Sequence, residues 1–204
     1  MTRLAAGAFS VAACASGGWL IARGNGGDRT VCLRPPGALP EEEFLARCIR
    51  CGRCIDACPN RCLVSFSEEA GKDLCLLPGP GQPGTPVIFP RRQACILCNG
   101  TRGDSLLCTA ACPTGALRET RRNIDTIRRE VRMGTAELDK NLCYSFNGAS
   151  CGACVRACPL EGHALKAGMW EKPIIDQKNC VGCGLCERAC IRYPQAIRVK
   201  PREI

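Results

Sequence analysis

Aromatic side chains are scarce in this chain, with two Trp, two Tyr and five Phe among 204 residues, and histidine occurs once, at His163. So few large apolar groups exclude a conventional packed core, because small domains bury too little surface and need a disulfide or metal staple. A single histidine excludes a Rieske centre, which takes two His ligands. No C-x-x-C-H occurs, so covalently attached haem is excluded as well. Gly79, Gly81 and Gly84 spell G-x-G-x-x-G. Pro80 and Pro83 interrupt that run and no strand–helix context surrounds it, so it is not a nucleotide site. What the chain has in plenty is cysteine, 20 residues of it, with 22 Gly and 14 Pro.

Sixteen of those cysteines fall into four groups. Group one is Cys48, Cys51, Cys54 and Cys58, followed by Pro59. This is the C-x2-C-x2-C-x3-C-P run of bacterial ferredoxins, in which three close thiolates face one [4Fe–4S] cubane and the fourth reaches a second one. Group four, Cys180, Cys183, Cys186 and Cys190, repeats the spacing with Ile191 in place of proline. Group two is Cys95, Cys98, Cys108 and Cys112 before Pro113, with a stretched middle interval; group three is Cys143, Cys151, Cys154 and Cys158 before Pro159, with a stretched first interval. Secreted disulfide domains spread their cysteines through loops, whereas these gather at metal-ligand spacing. Zinc prefers two separated C-x-x-C pairs around one tetrahedral ion, which this pattern does not offer. The reading is four [4Fe–4S] clusters on sixteen cysteines, with Cys14, Cys32, Cys62 and Cys75 left over. Cys62 lies in a strand-like run and reads as a small buried hydrophobe.

The formal charge of +9 invites nucleic acid or anionic lipid as a partner. Sixteen ligating thiolates and four oxidised cores at about +2 each bring the loaded protein to about +1. No nucleic-acid partner is therefore expected. Every group has its fourth cysteine and no flavin, haem or nucleotide motif accompanies them. The chain accordingly reads as an electron carrier rather than an enzyme, with no catalytic residue.

Strand-like pieces at 62–66, 87–89, 116–119, 174–176 and 196–199 border the groups, as in the strand–cluster loop–helix–strand unit of a dicluster ferredoxin. The fold class is α+β: two ferredoxin-like dicluster modules, rich in loops, behind an N-terminal apolar segment. Residues 118–133 carry Ile124, Ile127 and Val131 at helical spacing and read as one amphipathic helix with a solvated arginine face. Leu4–Ala22 is uncharged over nineteen residues. It reads as a retained membrane anchor, a cleaved export signal, or a lipoprotein signal ending at Cys14.

The chain resembles the MauM/NapG ferredoxin-type family from Leu33 to Val199. Besides the cysteines, the resemblance rests on LRPPGA at 33–38, Phe44, GTP at 84–86, RMG at 132–134 and the absence of proline after Cys190. It departs from that family in having one arginine, Arg3, where members carry a twin-arginine signal. The resemblance implies an electron relay on the extracytoplasmic (periplasmic) face of the cytoplasmic membrane, membrane-associated through its N-terminus. Its expected partners are an integral-membrane quinol-oxidising iron–sulfur subunit and a c-type cytochrome or other redox subunit. A soluble cytoplasmic polyferredoxin serving a reductase or hydrogenase is the alternative.

Related four-cluster subunits further imply a nested arrangement. Residues 31–66 with 173–204 would then form an outer module and 87–170 an inner one, with 1–30 as anchor and linker and 67–86 as a Gly/Pro-rich loop. Cys190 would complete the cluster of Cys48, Cys51 and Cys54, and Cys58 that of Cys180, Cys183 and Cys186. Cys158 would join Cys95, Cys98 and Cys108, and Cys112 would join Cys143, Cys151 and Cys154.

Overall fold

A computed structural model of the chain describes residues 29–202. The apolar N-terminal stretch and its three readings lie outside the described residues. Among the described residues, no helix is long and apolar enough to cross a membrane.

The elements are short, as a chain punctuated by Gly and Pro dictates. Helix α1 (Glu41–Arg47) begins after Pro40, with Glu41, Glu42 and Glu43 in its first turn and Arg47 in its last. Both charge placements suit the helix dipole. It buries Phe44 completely. Next come α2 (Arg53–Asp56), β1 (Leu63–Ser65), α3 (Glu68–Gly71, capped by Ser67), β2 (Pro86–Ile88) and α4 (Leu107–Ala110). After α5 (Ile124–Glu130, capped by the Asn123 side chain) the chain continues with β3 (Gly134–Leu138), α6 (Ala153–Arg156) and β4 (Leu165–Ala167). It ends in β5 (Pro173–Ile175), α7 (Leu185–Ala189) and β6 (Ile197–Pro201).

Strand pairing decides the architecture. In the C-terminal half, β3 pairs antiparallel with β6 from Gly134↔Pro201 to Leu138↔Ile197, and β4 pairs with β5 from Leu165↔Ile175 to Ala167↔Pro173. Group three thus sits between β3 and β4 and group four between β5 and β6. The N-terminal half repeats this plan. Its inner pair is β1 with β2, Leu63↔Ile88 to Ser65↔Pro86. Its outer pair is reduced to the Ala38↔Leu117 bridge, reinforced by Leu39 N–H to Ala116 O at 3.2 Å and Arg118 N–H to Gly37 O at 2.7 Å.

These registers overturn the nested arrangement. Group one lies with group two, and group three with group four, so the modules follow one another along the chain. The segments 31–66 and 173–204 share no sheet. Segment 67–86 is the β1–β2 connection inside the first module rather than an exit from an outer one. The physical reason is local: each inner hairpin joins the two groups that flank it, and such nearby closure costs less chain entropy than a crossing between ends.

Two further expectations change. The basic segment is not one helix, because 118–122 is extended and braces the expanded loop of group two. Arg122 N–H donates to Asp104 O at 2.7 Å and Leu106 N–H to Thr120 O at 2.9 Å, while the Arg122 side chain donates to Cys98 O at 2.9 Å. Ile124 is exposed, Ile127 and Val131 are buried, and Arg128 holds Asn179 Oδ1 at 2.8 Å, so part of the arginine face is bonded rather than solvated. Strands β3 and β4 formed where sequence patterning marked none.

The core contains few aromatics, as composition requires. Phe66 and Phe89 meet edge to face at 6.1 Å in one small cluster. The larger clusters are built from Leu, Ile, Val and the cysteines themselves.

Candidate iron–sulfur sites

The loops of the groups reuse two local turns, each found in three of the four. The second residue after the first cysteine is left-handed at Arg50 (φ 57°), Leu97 (φ 52°) and Gly182 (φ 75°), and a left-handed glycine starts the short helix at Gly52, Gly152 and Gly184. These reversals turn successive thiols inward. Gly182 and Gly184 are doubly constrained, since a Cβ there would lie 2.3 Å from the Gly134 nitrogen or 2.7 Å from Pro90 Cβ.

Four thiol-lined sites result. At site A, Cys48, Cys51 and Cys54 face Cys112 beneath Phe44, Ile55 and Leu117. At site B, Cys95, Cys98 and Cys108 face Cys58. Cys180, Cys183 and Cys186 face Cys158 at site C. Site D brings Cys143, Cys151 and Cys154 together with Cys190. All sixteen sequence-marked cysteines therefore reach a site, but each crossing partner differs from expectation. Cys190 is at D and not A, Cys58 at B and not C, Cys158 at C and not B, and Cys112 at A and not D. In each case the fourth cysteine of one group lies beside the first three of another, and the groups so matched are one with two and three with four.

The residues fit iron–sulfur clusters on three counts. The donor set is all thiol, as [4Fe–4S] clusters take. Backbone N–H groups point at the sulfurs: Leu117 to Cys112 Sγ, Leu97 to Cys95 Sγ and Leu107 to Cys98 Sγ at 3.4 Å each, and Ala136 to Cys180 Sγ at 3.5 Å. Such contacts stabilise thiolate ligands and tune potential. Burial, then Cys48, Cys112 and Cys51, push the Cys54 thiol up to about 11. Burial, then Cys143, Cys190 and Cys151, do the same to Cys154, also to about 11. Thiols so crowded ionise together only around a cationic core. Among the described residues no three His, Cys, Asp or Glu side chains converge on a single metal ion.

The comparisons agree with this chemistry. Residues 44–64 match the family described as a 4Fe-4S binding domain, and 141–168 with 177–190 match a second family of the same description. The chain is 36% identical to the methylamine utilization ferredoxin-type protein MauM of Paracoccus denitrificans, over 84% of this chain and 72% of that protein. It is 39% identical to MauM of Methylorubrum extorquens, covering 84% and 74%. To the ferredoxin-type protein NapG of Escherichia coli it is 32% identical, covering 84% and 71%. The chain belongs to the MauM/NapG ferredoxin-type family. It is an electron-transfer protein that binds [4Fe–4S] clusters and is not itself an enzyme.

The non-cysteine blocks LRPPGA, GTP and RMG have structural roles in this chain. Arg34 of LRPPGA is buried and donates to Glu41 Oε1 at 2.6 Å and Oε2 at 2.8 Å, to Thr85 Oγ1 at 2.8 Å and to Pro86 O at 3.1 Å. Its guanidinium stands 4.7 Å over the Phe44 ring, which lines site A. Met133 of RMG donates its N–H to Val181 O at 3.1 Å, and Gly134 admits Gly182 at close approach. Gly84 and Pro86 of GTP line site A, and the Gly/Pro run before them anchors the network beside it. Buried Gln82 donates to Glu41 Oε1 at 2.8 Å, and Arg50 donates to Gly81 O at 2.8 Å and Pro83 O at 2.9 Å. Sequence reading missed this ion-pair network, because single buried charges resemble surface ones until their partners are known.

The leftover cysteines divide. Cys32 and Cys75 are free, and Cys32 packs against the Phe66 cluster, where burial pushes its thiol up to about 11. Cys62 is buried as expected, yet it abuts site B. Cys14 lies outside the described residues.

Proposed function

We propose that the sixteen grouped cysteines hold four [4Fe–4S] clusters in single file, A–B–C–D, and that this protein relays electrons along that file between two partners. The observation that carries this reading is the chain of contacts between sites. A and B exchange Cys112 and Cys58. Cys95 N–H of site B donates to Cys183 O of site C at 2.9 Å across the two modules. C and D exchange Cys158 and Cys190.

Each cubane, when bound, supplies a one-electron site whose potential its surroundings set. The chain's own contribution is order and access. Cys95, Cys98, Cys108, Cys183 and Cys186 of the inner sites are buried and Cys58, Cys158 and Cys180 half-buried; the end sites also bury Cys54, Cys143 and Cys154, and Cys51 at the A end is the exposed ligand. At both ends apolar side chains next to ligands face solvent: Ile49 at A, and Tyr144, Ile191 and Tyr193 at D. Such positions suit partners that dock close to a terminal cluster.

Kinship with MauM and NapG supports a membrane quinol-oxidising iron–sulfur subunit as one partner and a c-type cytochrome or other redox subunit as the other. On this reading the relay works at the extracytoplasmic face of the cytoplasmic membrane. The test uses membranes containing the quinol-oxidising partner. Added quinol should bleach the visible absorption of the bound protein's clusters, and a downstream cytochrome should then be reduced. Reduction by a soluble ferredoxin or nicotinamide-linked enzyme alone, with quinol inert, would replace this reading with the cytoplasmic polyferredoxin one.

A further inference from the structure

Site B has a thiol too many. Cys62 is 3% exposed and lines the same cavity as Cys58, Cys95, Cys98 and Cys108. Its Sγ lies 3.5 Å from Cys58 Sγ, and its backbone N–H donates to that sulfur at 3.4 Å. Its side chain also reaches Cys95. The position is set by the chain, since Cys62 stands four residues after the crossing ligand and opens the strand into β1 beside it. The other three crossing ligands have no counterpart: four residues after Cys112, Cys158 and Cys190 stand Ala116, Gly162 and Pro194. A buried thiol within van der Waals reach of a ligand sulfur needs only a side-chain rotation to present its own sulfur to the same iron.

We propose that Cys62 is a reserve ligand of site B, able to bind the iron that Cys58 otherwise holds. In the exchange the Cys62 sulfur gives up its proton and forms the iron–sulfur bond, while the departing Cys58 thiolate takes up a proton. No oxidant or reductant is involved, and the count of thiolates on the cluster stays at four.

This inference rests on site B holding a cubane, so the unaltered protein is measured first. About sixteen iron per chain satisfies that reading, and a shortfall there counts against the reading and not against Cys62. Three variants then decide, each scored by iron per chain and by the EPR signal of an oxidised three-iron cluster. Cys58→Ala should keep about four irons at every site with no three-iron signal. Cys58→Ala/Cys62→Ala should lose an iron from site B or lose that cluster. Cys112→Ala is the matched control, because among the described residues site A has no spare thiol and should show the three-iron signal with Cys62 intact. A three-iron signal or a lost cluster in Cys58→Ala, equal to that of the double variant, would overturn the proposal. So would failure of Cys58→Ala to accumulate while Cys112→Ala accumulates, because a reserve ligand should make site B the more tolerant of the two.

Discussion

Replacing Arg34 by methionine removes the one buried charge among the described residues of the first module. The Arg34 side chain is 5% exposed and its Glu41 partner 29%. The substitution removes the two donors to Glu41 and those to Thr85 and Pro86, and leaves the carboxylate with Gln82 as its remaining side-chain donor. Breaking a buried pair on one side costs about 3–5 kcal/mol, and the partial exposure of Glu41 puts this case near about 3. Loss of the cation–π contact on Phe44 adds up to about 1 kcal/mol. Cluster-bearing proteins do not unfold in two states, so the observable is the rate at which visible absorption disappears in anaerobic denaturant. If the lost contacts break in the rate-limiting step, about 3 kcal/mol is on the order of a hundredfold faster decay.

The effect should also depend on pH with a definite sign. Burial alone would raise the Glu41 pKa, but the hydrogen bonds from Arg34 and Gln82 and the arginine charge hold it below its ordinary 4.5. The carboxylate therefore contributes its stability above about pH 4.5 and loses it as pH falls through the depressed folded value. Wild type and Arg34→Met should converge in acid. Decay rates within twofold of each other at neutral pH would refute the assigned role of the network.

Gly182→Ala and Gly52→Ala both place a side chain at positive φ, near +75° and +77°, but only the former meets backbone, at Gly134. Gly52→Ala should cost about 1–2 kcal/mol and keep all clusters, whereas Gly182→Ala should deplete site C iron; equal behaviour of the two would contradict the packing account. Because cysteines make up much of the core, the protein stripped of iron should melt without cooperativity. A sharp calorimetric transition after complete iron removal would show that the clusters are not structural.

The cofactor was legible in the sequence because cluster ligation is local: three thiols on one loop need fixed spacing, and Cys48-x2-Cys51-x2-Cys54 states it directly. Group membership was legible even in the stretched forms, where Arg122 braces the loop after Cys98 and Asn147 holds Cys143 O at 2.8 Å. Pairing between groups was not, since the four runs are nearly alike and spacing within a run carries no information about its neighbour. The signal lay between the runs: Leu63–Ser65 and Pro86–Ile88 separate groups one and two, and Leu165–Ala167 and Pro173–Ile175 separate groups three and four. Each is an inner hairpin, which fixes sequential modules. The Gly/Pro run between the first two strands hid that hairpin by lengthening its turn. The 118–133 segment misled through Ile124, whose place at helical spacing matched a face that the fold leaves in solvent.

The most direct test of the account is an anomalous iron map from crystals of the anaerobic holoprotein. It should contain four cubane-sized peaks, with Cys112 closing the cluster of Cys48, Cys51 and Cys54, and Cys190 closing that of Cys143, Cys151 and Cys154. Fewer than four peaks, or Cys190 found on the cluster of Cys48, Cys51 and Cys54, would contradict it.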